Sequence, residues 1–440
     1  MMTAAHRRLS IMSVTSPPIL SVVPSRALVD ETFKVQVKNL PAGLPVTLHS
    51  LYRSEQKDDW EAYGHYVSDH TGTVSVPDDF SFGGTYTGKE AMGLLWSMCP
   101  VPGSPEGLRL RVMNVCSPML VNISVYRGHV VEGFRDQDPL ASVVTERWYM
   151  APGVQRIEIR EEELRGTLFI PPGPGPFPGL LDMWGGGGGL VEYRASLLAS
   201  HGFVTLALDY YTPKGADTRN TELSLFESAF NVIKDHPKVI QDRVGIFGLS
   251  LGAVVTLNLA ALSTVINPRC CVCINGNHLN LVKGLNTISN LLSSNYHRLH
   301  VDEQNRHIWR QIGEALLNDP EQKLDVGRIK CPVLLVNGHD DQNWSTVKCS
   351  EDMAQLMRAA GNDHLLTLLN YPDAGHLIEP PFSPHFRATN FKSNLQTGKV
   401  VMLWGGQTKP HSDAQEDAWK KILVFLEQNL YYSPGLKARL

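Results

Sequence analysis

No stretch of this sequence is apolar for long enough to cross a bilayer, which takes about 20 consecutive apolar residues. The opening residues, MMTAAHRRLSIMSV, carry two arginines and lack the apolar centre of a secretory signal, so neither secretion nor membrane insertion is expected. A dominant charge sign is lacking too. Forty basic and 44 acidic residues leave a formal net charge of -4, which favours neither nucleic acid nor an anionic lipid surface as a partner. The seven cysteines are odd in number and show no C-x-x-C pair with a matching histidine cluster, so no zinc site is expected. Cys270, Cys271 and Cys273 sit in the apolar run PRCCVCI and read as reduced, buried thiols of an intracellular protein. Proline and glycine are not gathered in one tract, which argues against a large disordered region.

What is present reads as two domains, because 440 residues exceed what one compact core holds. Up to residue 150, short apolar and β-branched runs recur between turn residues. They include ILSVVP (19–24), FKVQVKNL (33–40), VTLHSLYRS (46–54), WEAYGHYV (60–67), MGLLWSM (92–98), LRLRVMNV (108–115) and MLVNISVYRG (119–128). Strands at this spacing predict an all-β, immunoglobulin-like sandwich. From residue 151 strands alternate with helices. RVGIFGLS is followed by LGAVVTLNLAALS, CCVCING and PVLLVNG come later, and AQEDAWKKILVFLEQNL ends the series. That alternation predicts an α/β domain with a doubly wound, mostly parallel sheet. The expected boundaries are a leader over 1–16, the sandwich over 17–150, the α/β domain over 151–430 and a tail over 431–440. Residues 280–325 are polar and aperiodic, and they read as an irregular insertion over one edge of the sheet.

The sharpest chemical signal is Gly248-Leu249-Ser250-Leu251-Gly252. The pattern G-x-S-x-G is short, but here it ends an apolar strand and opens a helix, the setting of a nucleophile elbow in an α/β-hydrolase. A turn that tight tolerates almost no side chain two residues before and two after the serine. It holds the serine in a strained conformation with its hydroxyl exposed. Serine needs a base, usually a histidine oriented by a carboxylate. In this fold the order is Ser, acid, His. The loop after PVLLVNG offers Asp340 and Asp341. Asp341 is the expected acid and Asp340 a turn residue. After the last strand comes Asp373-Ala374-Gly375-His376, and His376 is the expected base. His364 precedes that strand, at the wrong end of the sheet. The five glycines Gly185 to Gly189 lack nucleotide-loop spacing and read as an oxyanion loop. The expected donors are the backbone N–H groups of Leu251 and Gly186, each contributing about 3 kcal/mol in the transition state. This chemistry calls for no cofactor and no metal.

Together these residues resemble the acyl-CoA thioesterase / bile acid-CoA:amino acid N-acyltransferase family. The resemblance runs along nearly the whole chain, through PPGPGPFPGLLDMWGGGGGLVEYRASLLASHGF, GLSLGA, GHDDQNW, YPDAGHLIEPP and the late LWGG and AWKKILVFL strings. It implies the same triad, Ser250, Asp341 and His376, and a fatty acyl-CoA substrate. The family's conjugating branch looks to have cysteine at the nucleophile and to use glycine or taurine as acceptor. The hydrolytic branch has serine. Ser250 therefore implies hydrolysis to free acid and CoA, with acyl transfer to an amine as the alternative. A general carboxylesterase and a non-enzymatic binding protein are further readings. GLSLGA departs from the family in lacking the lysine often found just after the serine, which bears on substrate preference. The chain ends in Ala438-Arg439-Leu440, chemically akin to the Ser-Lys-Leu peroxisomal address, so an import receptor is an expected partner. Peroxisome or cytoplasm is the expected location, ahead of the mitochondrion.

Overall fold

The computed structural model describes residues 16–161, 164–210, 222–392 and 399–432. Ala438-Arg439-Leu440 and nearly all of the predicted leader lie outside them.

The N-terminal part holds two sheets. Ile19–Val23, Lys34–Lys38 and Val74–Ser75 form the smaller one, all antiparallel. The larger has six strands, in the order Arg26–Leu28, Ala141–Trp148, Met119–Arg127, Pro45–Arg53, Asp59–Val67, Cys99–Pro100. Alternation along the strands drives the packing. Lys34–Lys38 buries Val35 and Val37 and exposes its two lysines. Those valines join Leu48, Trp60 and Ile123 of the larger sheet in one core. Two segments that read as strands are not strands. MGLLWSM contains the short helix Gly93–Trp96, and LRLRVMNV lies in no strand. The alternation in LRLRVMNV is nonetheless used: Leu110 and Val112 are buried, while Arg109 and Arg111 turn the other way, toward the C-terminal part.

The eight strands of the C-terminal sheet are numbered here in chain order: β1 (Gln155–Glu161), β2 (Leu164–Ile170), β3 (Phe177–Met183), β4 (Val204–Leu208), β5 (Val239–Leu249), β6 (Cys271–Ile274), β7 (Val333–Gly338) and β8 (Leu366–Tyr371). Their spatial order is β1-β2-β4-β3-β5-β6-β7-β8. The first two pairings are antiparallel and all the others parallel. The longer helices are α1 (Tyr193–Ser200), α2 (Leu223–Lys234), α3 (Leu251–Leu262), α4 (Asn286–Ser294), α5 (Thr346–Ala359) and α6 (Thr408–Leu430). Successive strand residues feed opposite faces of the sheet. Leu181 and Ile246 pack with Phe226 and Phe230 of α2, whereas Leu180 and Phe247 pack with Leu197 of α1 and Ile422 of α6. A parallel sheet covered on both faces needs such continuous apolar strands. β1 escapes a sequence reading because it is an edge strand whose residues are all exposed or half-buried.

The segment 280–325 is more ordered than expected. It contains α4, and its strands His300–Val301 and Arg306–Ile308 join Lys399–Leu403 and Ala388–Lys392 in a four-stranded sheet. Ladders of two or three residues are too short to print a period in the sequence. Among the described residues, no helix is long and apolar enough to cross a membrane. Because β5, β7 and β8 run parallel, the chain leaves all three at one edge of the sheet, and the loops carrying positions 250, 341 and 376 share that edge.

Candidate active site

Ser250 links β5 to α3 with φ 55° and ψ −117°, a region a side-chain-bearing residue enters only under constraint. The flanking glycines supply the constraint. A Cβ on Gly248 would lie 2.2 Å from the carbonyl of Gly252, and one on Gly252 would lie 2.4 Å from Met183 O. Neither position has room for a methyl group. Ser250 N donates to Ile274 O at 2.8 Å, tying the turn to β6.

Ser250 Oγ stands 2.9 Å from His376 Nε2, and His376 Nδ1 stands 2.7 Å from Asp341 Oδ2. All three residues are buried, His376 and Asp341 almost completely. Asp341 Oδ1 accepts from the backbone N–H groups of Asn343 and Trp344 at 2.7 and 2.9 Å, which fixes the carboxylate. A carboxylate only accepts, so Nδ1 carries the imidazole proton and Nε2 faces the serine hydroxyl as an acceptor. Asp340 binds elsewhere, accepting from Gly406 N at 2.7 Å and Gln342 Nε2 at 2.5 Å. Among the glycines, a Cβ on Gly185 would meet Ser250 Cβ at 3.2 Å and one on Gly186 would meet Leu251 Cδ2 at 3.7 Å. The run therefore faces both Ser250 and the first turn of α3.

Several supporting residues gave no signal in the sequence. Asn275, with φ 47°, donates through Nδ2 to Gly375 O and His376 O and accepts from Gly338 N, so one side chain clamps the end of β7 to the loop carrying His376. The Trp404 ring stacks on His376 at 5.6 Å between centroids. Asp182 and Arg194, both buried, pair at 2.7 Å. Arg194 also donates to Met183 O and lies over the rings of Trp184 and Phe247, which braces the entry to the glycine run. Such partners are adjacent in space but scattered in sequence, and nothing in local periodicity marks them.

His411 is the remaining brace. Its Nδ1 accepts from Gly375 N at 3.0 Å and its Nε2–H donates to Leu377 O at 2.8 Å, which requires the neutral ring. Burial, and then the neighbouring His385 ring, push His411 down to about 3. The unfolded chain, with histidine near 6.5, then takes up a proton that the fold refuses. Stability is expected to fall as pH drops below about 6.5, by about 2 kcal/mol for His411 alone by pH 5, and the loss continues toward pH 3. Denaturant titrations at pH 7 and pH 5 measure this. His411→Asn should lower stability at pH 7 and flatten the acid slope.

Ser250 and His376 face a cavity of about 110 Å³ whose walls include Ile288, Leu292, Trp309, Trp344 and Phe391, with Arg109, Arg111 and Lys392 as its cations. Among the described residues, no cluster of three or more His, Cys, Asp or Glu side chains is placed to hold a metal.

A mostly parallel eight-stranded sheet, wound on both faces and carrying a serine on a strained strand-to-helix turn at its C-terminal edge, defines an α/β-hydrolase with an N-terminal β domain. Within that class, the chain belongs to the BAAT/acyl-CoA thioester hydrolase family: residues 30–161 match the family's N-terminal region and residues 221–432 its C-terminal region. It is 38% identical to the mouse (Mus musculus) peroxisomal succinyl-coenzyme A thioesterase over 93% of this chain and 96% of that protein. It is 35% identical to the mouse bile acid-CoA:amino acid N-acyltransferase over 96% of this chain and 99% of that one. Among solved structures, an acylaminoacyl peptidase aligns with 93% of this chain and 61% of its own, at TM-score 0.44 and 14% identity.

Proposed function

We propose that the protein hydrolyses acyl-CoA thioesters to free acid and CoA through an acyl ester on Ser250. The observation that carries this reading is the hydrogen-bonded row Ser250–His376–Asp341, whose first two members line the cavity. His376 Nε2 takes the hydroxyl proton as Oγ attacks the thioester carbon. The carbonyl oxygen gains negative charge and is met by the N–H groups of Leu251 and the glycine run, Gly186 among them. The carbon–sulfur bond breaks, the sulfur takes the proton held by the His376 imidazolium, and CoA leaves as a thiol. The imidazole returns to its neutral form, and a sulfur leaving group makes little demand on this acid step. His376 then removes a proton from water, the hydroxide attacks the ester, and Ser250 recovers its proton from the imidazolium.

Both thioesterases and an N-acyltransferase are relatives, so the acceptor is the open choice. An oxygen ester is less reactive toward amines than a thioester, which favours water with serine at position 250. Products formed from acyl-CoA with and without glycine or taurine test this directly. Free acid should dominate in every case, and an amide as the main product would replace hydrolysis by transfer. A serine-directed phosphonate should label Ser250, and failure to do so would remove the acyl-enzyme.

A further inference from the structure

Arg109 belongs to the N-terminal part of the chain, yet its guanidinium meets residues beside the catalytic groups of the C-terminal part. Its neighbour Leu110 is buried in one core with Leu48 and Trp60 of the larger N-terminal sheet, which fixes where the segment lies. The guanidinium forms an ion pair with Glu379, and both side chains are nearly enclosed, at 10% and 5% exposure. It also lies within hydrogen-bonding reach of the Tyr193 hydroxyl, and over the Phe386 ring at 5.8 Å from the centre. Phe386 in turn meets Trp60 edge to face at 5.8 Å. Burial opposes the charge on Arg109, but Glu379 and then Tyr193 outweigh it and hold the pKa above its ordinary value. An ion pair this enclosed adds little net stability, because desolvation offsets the attraction. What it fixes is direction, since a guanidinium holds a carboxylate along set N–H axes.

The two partners of Arg109 lead to the two sides of Ser250. Glu379 is the first polar side chain after His376, and two prolines follow it. The backbone at His376 is held by Asn275, by Trp404, whose carbonyl accepts from His376 N at 2.9 Å, and by His411. Those ties all come from the C-terminal part, and Glu379 adds one from the N-terminal part. Tyr193 opens α1 and packs edge-on against Trp184, 5.0 Å between ring centres, directly before the glycine run. Arg109 thus stands between the loop that carries the base and the segment that leads into the oxyanion glycines. It also lines the cavity, and its Nε has no partner among the described residues, so contact with substrate is the competing role. Glu379 is not among the residues lining that cavity, and its replacement separates the two roles.

We infer that Arg109 is a positioning residue: through Glu379 it holds the loop that carries His376, so that the N-terminal part sets the alignment of the base with Ser250. The inference rests on the Ser250–His376 reading above. A displacement of about 1 Å at a reacting group costs about 100-fold in rate, which is the size of effect to expect when the tie is cut.

The experiment measures kcat and KM on the full chain with acetyl-, octanoyl- and palmitoyl-CoA as probes, each variant being checked for folding by circular dichroism. On the probe that the wild-type protein turns over fastest, Glu379→Gln and Arg109→Met should each lower kcat about 100-fold, with KM changed by less than about 3-fold. Arg109→Lys keeps the charge but not the planar fork and should recover part of the loss. The double variant Arg109→Met/Glu379→Met leaves no charge buried alone, so it keeps the fold where a single variant loses it. It should be as slow as either single variant, because each change cuts the same link. A double variant at the wild-type kcat overturns the inference and leaves the pair a stabilising role only. A raised KM at unchanged kcat in Arg109→Met, with Glu379→Gln unaffected, overturns it in favour of a substrate contact. The rate at which a fluorophosphonate labels Ser250 is a readout free of acyl-CoA, and it should fall by a similar factor in Glu379→Gln. If the wild-type protein takes the label but turns over none of the three thioesters, the thioesterase reading fails. Slower labelling of Glu379→Gln then still supports the positioning role, and an equal labelling rate rejects it.

Discussion

Replacing Ser250 by alanine is expected to lower acyl-CoA turnover by about 10⁴-fold or more while leaving the fold and substrate binding in place. The size follows from what one oxygen does. Without Oγ no acyl-enzyme forms, and His376 Nε2, now 2.9 Å from nothing that can attack, has no proton to remove. The oxyanion donors and the cavity walls survive, so some acceleration over water persists. The fold should tolerate the change because the turn is imposed by Gly248 and Gly252 and anchored by backbone bonds, none of which uses the serine side chain. Steady-state turnover by thiol release, with a circular dichroism control, measures it. A variant that turned over at the wild-type rate would end the Ser250 mechanism outright.

The legibility of this molecule in its sequence divides along a physical line. Where a feature depends on neighbours along the chain, the residues declare it. Gly248 and Gly252 flank Ser250 because a Cβ on either would strike backbone. The strands RVGIF and PVLLV are continuous apolar runs because both faces of a parallel sheet are covered. Strand order and direction then bring positions 250, 341 and 376 to one edge. Where a feature depends on distant partners, the sequence is silent. Asn275 lies over 60 residues from Gly338 and 100 from Gly375, and nothing about an asparagine after a strand announces a clamp. LRLRVMNV shows the same limit from the other side. Its alternation is real, but the expected ladder partner is absent, and the arginine face of that alternation turns to the cavity.

Asp341→Asn is expected to cost nearly as much as losing the serine, about 10⁴-fold in turnover, although it replaces one oxygen by nitrogen. The reason lies in the bonds around the carboxylate. Oδ1 accepts from the N–H groups of Asn343 and Trp344, and Oδ2 faces His376 Nδ1 at 2.7 Å. An asparagine keeps the first pair by placing its oxygen toward the two backbone donors. Its NH₂ must then point at Nδ1, which has to become the acceptor. The imidazole proton moves to Nε2, which then donates to Ser250 Oγ and can no longer accept the hydroxyl proton. The side chains stay where they are and the base is in the wrong tautomer. The alternative rotamer, with NH₂ toward the backbone, strands two N–H groups inside the protein and costs about 1–3 kcal/mol for each. The loss should therefore fall on kcat with little change in substrate binding, and raising the pH should not restore it. Asp340→Asn supplies the contrast. That carboxylate binds the Gly406 turn and does not touch His376, so its replacement should alter turnover by less than about 10-fold. Parallel kcat measurements on the two variants decide the matter: a larger loss for position 340 than for 341 would transfer the acid's role to the neighbouring residue.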